Sequence, residues 1–434
     1  MKNFLVAVLA LITTTCALAQ SSTVTRCNTR EVMLNKEQQS PGYLNRVDAA
    51  FNYAKQVAES NRQNRAADDT IYRIRCVFHV VYTNATENIP DSVILSQIDV
   101  LNEDYRRHNA DTTKTRDVFK PVAADAGIEF YLATQDPNGN PTNGITRTQG
   151  TPGGFLGFDP FSDGVKSSIS GGVSPWPTDK YLNIWVCNIA NGLLGVLGYA
   201  FPPDNAPNWD PGSGTDSAKQ GVVLQYQVVG RNYTAPIDPT VAKGRSATHE
   251  IGHYLGLRHI WGDGDGNGAC NGTDGIDDTP NADAAQQQTC DTSSNTCVDS
   301  PIDFPDMIEN YMDYSDDRCL NMFTQQQVDI MRATLQTERA GIATAQVATG
   351  IRNTTQLDGV NIYPNPANNM LNISFSSAKQ YSYILYNALG EILSSESNLL
   401  NSHAVNLSNF ASGIYLIKIT SGNQVSTRKF QIVK

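Results

Sequence analysis

The stretch HEIGHYLGLRH, His249 to His259, decides how the rest of the chain is read. It holds three of the chain's six histidines, with Glu250 after the first and glycines at 252 and 256. Wound as an α-helix of about 3.6 residues per turn, it stacks His249 and His253 one turn apart on one face. Ala247, Ile251, Tyr254 and Leu255 gather opposite, suited to packing on a core. Two imidazoles at that spacing can grip one tetrahedral ion. Gly256 can adopt the left-handed conformation that ends a helix, so the chain can turn back and deliver His259 as a third ligand. A fourth position is then left open, the mark of a catalytic rather than a structural zinc site. Zinc brings the pKa of a bound water down to roughly 7. Glu250, beside that position, can take the water's proton as general base and pass it to a leaving amine. The competing reading is a solvated helix face. The glycine and histidine that follow the bare H-E-x-x-H weigh against it.

Outward from the cluster, the preceding chain alternates strand and helix patterns. YRIRCVFHVVYTN (Tyr72 to Asn84) reads as a buried strand. Val93, Ile94, Ile98, Leu101 and Tyr105 recur at helical spacing over about four turns. GIEFYLAT (127–134), YLNIWVCNI (181–189) and GVVLQYQVV (221–229) are further strands. Residues 262–300 are loop-like, rich in Gly, Asp and Asn, and a helix is predicted from near Thr324 to about Ala345. The fold class predicted for 66–345 is α/β (α+β), a twisted mixed sheet carrying an active-site helix. Residues 346–357 read as a linker. After it, VNIYP, MLNISF, SYILYN, GIYLIKIT and RKFQIV are short strands punctuated by turns, so 358–434 is predicted to be a small all-β sandwich.

The chain's 434 residues predict more than one domain, and 40% hydrophobic content suits a globular protein. A net charge of −11 and no basic stripe argue against nucleic acid as a partner. Residues 1–20 read as a secretory signal peptide: Lys2, an apolar run from Phe4 to Ile12, then Ala17-Leu18-Ala19. Cys16 lacks the flanking residues of a lipidation site. Leu182 to Phe201 is apolar but broken by Asn188, Asn191 and glycines, so no transmembrane segment is expected in the mature chain. Residues 21–65 are polar, show little periodicity and end in the basic NRQNRAADD, which predicts a pro-segment cut near Arg62 or Arg65. Seven cysteines remain after the signal peptide, and export places them where disulfides persist. Cys270, Cys290, Cys297 and Cys319 fall in the Gly/Asp-rich region and permit three pairings. Cys27 stands in the pro-segment, Cys76 and Cys187 in strand patterns.

The full pattern His249-Glu250-x-x-His253-x-x-Gly256-x-x-His259 resembles the metzincin metallopeptidases. ENYMDYSDDRCLNMF, downstream, supplies their second signature, a turn with Met312 beneath the metal. The wording NYMDYSDD, with FHVVY, DPNGNPTNGITRT and LNIWVCNI, is most similar to the pappalysin (cytophagalysin) branch over roughly residues 70–340. The resemblance implies a secreted zinc endopeptidase acting on proteins or peptides. His249, His253 and His259 would hold zinc, Glu250 would be the general base, Tyr314 would stabilise the oxyanion, and Met312 would floor the site. It also favours Cys270–Cys297 with Cys290–Cys319.

GTDGIDDTP (272–280) offers carboxylates, a hydroxyl and carbonyls in a tight turn, which suits a hard cation with oxygen ligands. The resemblance implies calcium there, with Asp274, Asp278 and Thr279 as ligands; a solvated acidic loop is the alternative. Asp316 and Asp317, after the methionine turn, would favour Arg or Lys following the scissile bond, although Arg318 beside them complicates that reading. Thiolate is a strong zinc ligand, so Cys27 is read as a plug of the open position that keeps a zymogen silent. A disulfide to Cys76 or Cys187 is the other reading. The module from VNIYPNPANNMLNISF onward resembles the type A sorting domain of the type IX secretion system, which implies the type IX machinery as a partner. It also implies a Gram-negative source and a final place outside the cell or on its surface. The rival to the enzyme is a calcium-stabilised adhesive protein on a protease-like fold; an intact Glu250 and three histidines argue against it.

Overall fold

A computed structural model of the chain describes residues 24–63, 70–151, 157–189, 195–204, 220–262, 270–347, 355–357, 359–387, 392–421 and 424–434. The signal peptide, Cys16, Arg65 and most of the Gly/Asp run 262–268 lie outside the described residues. The chain divides into two units, 1–347 and 348–434.

The first unit is organised around β1 (Thr70–Tyr82). Its first half alternates in burial and its second half is buried on both faces, as the continuous apolar run from Cys76 requires. One edge pairs in parallel with β2 (Ile128–Leu132) and then β3 (Ile145–Gln149). The other pairs in parallel with β4 (Leu182–Cys187), which pairs with β6 (Val222–Gln225). β5 (Gly198–Ala200) closes that side antiparallel to β6 and is an edge of the sheet. Helix α3 (Asp91–Tyr105) packs on β2, and Val93, Ile94 and Leu101 are buried. Helix α4 (Arg245–Tyr254) carries the first two histidines and packs against α3, β5 and β6.

Two segments differ from expectation. The helix predicted to reach Ala345 ends sooner: α5 spans Gln325–Gln336, started by a capping box between Thr324 and Gln327. Ala343–Val347 instead form β7, antiparallel to the start of β1, because the unpaired edge of β1 there accepts a strand. Residues 24–63, read as aperiodic, contain two helices, α1 (Thr29–Gln39) and α2 (Tyr43–Gln63). The buried side of α2 is Tyr43, Val47, Ala50, Phe51, Ala54 and Ala58. That is a helical repeat in which three of the six residues are alanine, so its hydrophobic signal is weak.

The second unit is a β-sandwich. One sheet orders β8 (Val360–Tyr363), β9 (Met370–Phe375) and β12 (Ser402–Asn406). The other orders β14 (Gln424–Ile432), β13 (Gly413–Ser421), β10 (Gln380–Tyr386) and β11 (Ile392–Leu400), with Thr355–Gln356 added to β14. Alternate residues such as Leu371, Ile373, Tyr383, Ile417 and Phe430 point inward to one core. Among the described residues no helix is long and apolar enough to cross a membrane.

Candidate metal centre

Every residue of α4 is buried, including its polar side. The helix stops at Tyr254, and Gly256 follows with φ +95°, a conformation that favours glycine. The turn it makes brings His259 back over His253. The Nε2 atom of His253 then lies 3.1 Å from that of His249 and 3.0 Å from that of His259. The opposite nitrogens of the first two are engaged: Nδ1 of His249 donates to the Tyr311 carbonyl at 2.7 Å and Nδ1 of His253 to the Leu257 carbonyl at 2.9 Å. With their protons directed outward, these rings turn lone pairs toward a common point, the arrangement of a metal-binding imidazole. Cys27 completes the group. One ligand atom from each of Cys27, His249, His253 and His259 lies within 4.8 Å of the others, all four residues being buried. The donor set, nitrogen with one thiol, suits zinc.

Residues 24–29 lie along the edge strand β5. Thr25 and Val196 form a parallel bridge, and the Asn28 amide donates to the Gly198 carbonyl at 2.9 Å. This places Cys27 Sγ 3.4 Å from Oε2 of Glu250, while the Thr29 hydroxyl donates to the same oxygen at 3.1 Å. Burial pushes the Glu250 carboxyl up to about 8, against the pull of the Cys27 and Thr29 hydrogen bonds and the Arg26 charge. The Tyr314 hydroxyl donates to the Cys27 carbonyl at 3.1 Å and stands 3.3 Å from Nε2 of His259. Met312 is fully buried with its sulfur against Gly252, where a side chain on the helix would collide with it.

Several residues in this assembly carry no sequence signal that would have singled them out. The Trp261 ring stacks on His259, centroids 4.3 Å apart and 9° from parallel, and meets Tyr314 edge-on. The Tyr311 hydroxyl donates to Asp104 of α3 at 2.7 Å, and Thr248 donates to the same side chain at 2.8 Å. Arg245, at the start of α4, binds Asp111 at 2.8 Å. These contacts tie α4 and the methionine turn to α3. Arg26 is buried, paired with Asp317, and donates to the Ser315 carbonyl at 2.8 Å. Asp316 faces elsewhere and is paired with Arg318.

The structure holds the disulfides Cys270–Cys297 and Cys290–Cys319, and Cys27, Cys76 and Cys187 are buried thiols. In the acidic loop, the Thr279 hydroxyl donates to both oxygens of Asp274 at 2.9 and 2.8 Å, and the Ile276 amide donates at 3.0 Å. Burial pushes Asp274 up to about 7. Asp278 turns to the start of α5, accepting from the Thr324 hydroxyl at 2.6 Å and the Gln326 amide at 3.0 Å.

Fold and centre together define a metallopeptidase, and comparison with known proteins agrees. Residues 172–336 match the family described as pregnancy-associated plasma protein-A, and 361–434 match the secretion system C-terminal sorting domain. An extracellular metalloprotease of Arthroderma benhamiae is 30% identical over 268 residues, 61% of this chain and 77% of the fungal one. Extracellular metalloprotease 1 of Coccidioides posadasii is 30% identical over 67% of this chain and 87% of its own. Among solved structures, mature mirolysin of Tannerella forsythia with a cleaved peptide is 44% identical. It covers 63% of this chain and 95% of mirolysin, with a TM-score of 0.54. A mutant of promirolysin from the same organism is 40% identical over 73% of this chain and 96% of its own, with a TM-score of 0.59. The chain belongs to the pappalysin family of metalloendopeptidases and carries a type IX secretion sorting domain. It is a secreted or cell-surface enzyme that requires a metal and acts on peptide bonds.

Proposed function

We propose that the protein is a zinc endopeptidase made as a zymogen and silenced by its own residues 24–29. The observation that carries this reading is the Cys27 thiol seated among three histidine nitrogens, within 4.8 Å of each. Zinc, held by His249, His253 and His259, supplies the Lewis acid of the reaction. Glu250 receives the proton of the attacking water and delivers it to the leaving amine. In the latent chain its Oε2 is occupied by Cys27 and Thr29. Tyr314 places a neutral hydroxyl donor where the oxyanion develops, and in the latent chain that donor is spent on the Cys27 carbonyl. Met312 keeps the floor apolar and fixes the helix from below. The wider match to the precursor of mirolysin than to its mature form supports reading residues 24–63 as a pro-segment.

Cleavage before Arg or Lys is supported by Arg26, whose guanidinium sits buried on Asp317 beside the plugged centre. A substrate arginine or lysine takes that seat once the segment leaves, and Asp317, not Asp316, is its partner. Asp274 and Thr279, joined by carbonyls of the same turn, are the candidate ligands of a structural calcium, with Asp278 beside them.

The test is casein and peptide hydrolysis by the full-length chain and its Cys27→Ala variant. The variant is expected to be active or self-degrading while the parent is silent, and a stable, inactive variant would remove the Cys27 thiol from the silencing. In the processed enzyme, Asp317→Asn is expected to lower cleavage before Arg at least ~10-fold relative to an apolar residue. Equal losses for both would remove Asp317 from the specificity pocket.

A further inference from the structure

The latent state rests on more than the plug. The segment 24–63 is anchored to the rest of the first unit along its whole length. Phe51, Ala54 and Ala58 of α2 belong to the main core beside Tyr254, Ile330 and Ile276. Val32, Tyr43 and Val47 are part of a second core with Tyr199, Phe201 and Trp185. The guanidinium of Arg258 lies over the Phe51 ring at 4.0 Å and also binds Asp48 at 2.7 Å. Lys55 donates to the Gly275 carbonyl at 2.7 Å, and Arg62 meets Asp329 at 3.3 Å in the last turn of α2. None of these contacts depends on the peptide link to β1.

A cut just beyond Arg62, the hydrolysis of one peptide bond, therefore severs the chain and leaves its anchors in place. While the segment is tethered, docking is intramolecular, with an effective concentration on the order of millimolar. After the cut it becomes a complex of two chains. Specific interfaces draw on roughly 20–30 residues a side, with a few buried aromatic and arginine anchors giving most of the affinity. The segment offers Tyr43 and Phe51 as such anchors, with the buried Arg26 on Asp317 at its far end.

Resting on the zymogen reading above, we infer that the excised segment 24–63 is itself a non-covalent inhibitor that stays docked. A cut at its junction with β1 does not uncover the metal site. Activation requires a second cut, in the turn that joins α1 to α2, where Pro41 is exposed beside the exposed Gln38 and Gln39 at the end of α1. That cut parts the plug, held by residues 24–28 and α1, from the apolar docking of α2. Neither half then profits from the other's anchorage. The partner of this surface is thus a helical hairpin of the chain itself, and maturation has two steps rather than one.

The test uses the full-length chain with a recognition sequence for an unrelated protease inserted after Gln63, and a second form with another such sequence at Pro41. Uncut protein is expected to be silent; activity at that stage would overturn the zymogen reading and this inference with it. After the junction cut alone, the segment is expected to co-elute with the body in gel filtration. Activity is then expected to stay below about a tenth of that reached when both sites are cut. A silent uncut chain that gains full activity and sheds an intact segment after the junction cut would overturn the inference and leave the zymogen reading standing; a shed segment found cut at the α1–α2 turn supports it. Phe51→Ser is expected to keep the uncut chain silent but to speed release from the junction-cut form ~10-fold or more. Should that variant misfold, Lys55→Ala, which removes the bond to Gly275, is expected to shift release the same way. Release unchanged in a folded variant counts against the hairpin as the docking element.

Discussion

His249 and His253 are four residues apart, and so are Asp274 and Asp278. The first pair converges on one point, and the second does not. On α4 the pitch of the helix puts both imidazoles on one face, and their outer nitrogens are held by the Tyr311 and Leu257 carbonyls. In the acidic loop there is no helix to impose a face. Asp274 takes donors from Thr279 and Ile276, while Asp278 turns away to Thr324 and Gln326. Asp and Asn side chains readily bond nearby backbone and hydroxyl groups, so a loop rich in them can satisfy itself locally. Spacing is a statement about geometry only where regular secondary structure converts it into one.

The two regions should therefore fail in different ways when changed. The largest effect belongs to the helix. Glu250→Ala in the processed enzyme is expected to lower kcat/KM by ~10²–10⁴-fold with zinc content and circular dichroism unchanged. Activity retained at the parent level would remove Glu250 from the chemistry. The loop should respond in stability instead. Replacing Cys270 and Cys297 by serine opens a cross-link of sequence separation 27, and a loop of that size is worth about 3–4 kcal/mol. Denaturant unfolding measures it, and an unchanged midpoint would show that the loop is held by its hydrogen bonds alone.

His79 sharpens the histidine side of the comparison. It is as buried as the metal-site histidines, but both its ring nitrogens are engaged, with Thr146 at 2.7 Å and Asn183 at 2.9 Å. Burial lowers its pKa to about 4 from an ordinary 6.5. As pH falls below 6.5 the unfolded chain takes up the proton first, so stability is lost from there down through pH 4. The loss amounts to about 3 kcal/mol when complete. In His79→Gln, unfolding free energy measured across that window is expected to lose this part of its slope. A slope identical to the parent's would mean that the histidine is already protonated in the fold. The smallest effect concerns calcium. Adding calcium is expected to raise Tm by about 2–4 °C in the parent and not in Asp274→Asn. An equal rise in both would move the ion elsewhere.

Much of the centre was legible because its parts are local. The three histidines, Glu250 and Gly256 lie within one short stretch whose spacing survives any tertiary arrangement, whereas Met312 was read through the resemblance of its turn to the metzincin signature. Tyr314 was legible only through its place two residues after Met312. The α1–α2 hairpin was missed because half of the apolar residues on the buried side of α2 are alanine, and alanine carries little hydrophobic contrast. Trp261 gave no sign, since a tryptophan two residues beyond a histidine stacks on it only if the chain turns back.

By itself the sequence determined the metal helix, its glycine exit, the strand-helix alternation before it and the β-sandwich after it. These follow from periodicity and from residue types with narrow conformational preferences. Only the tertiary structure decided the rest. It paired Asp104 with Tyr311, more than two hundred residues later. It chose Asp317 over Asp316 as the seat of Arg26, because Arg318 already holds Asp316. And it brought Cys27 to histidines more than two hundred residues away by laying residues 24–29 along the open edge of β5. Contacts at such separations are set by which edges and faces remain unsatisfied once the local elements have formed, and no spacing within the sequence records that.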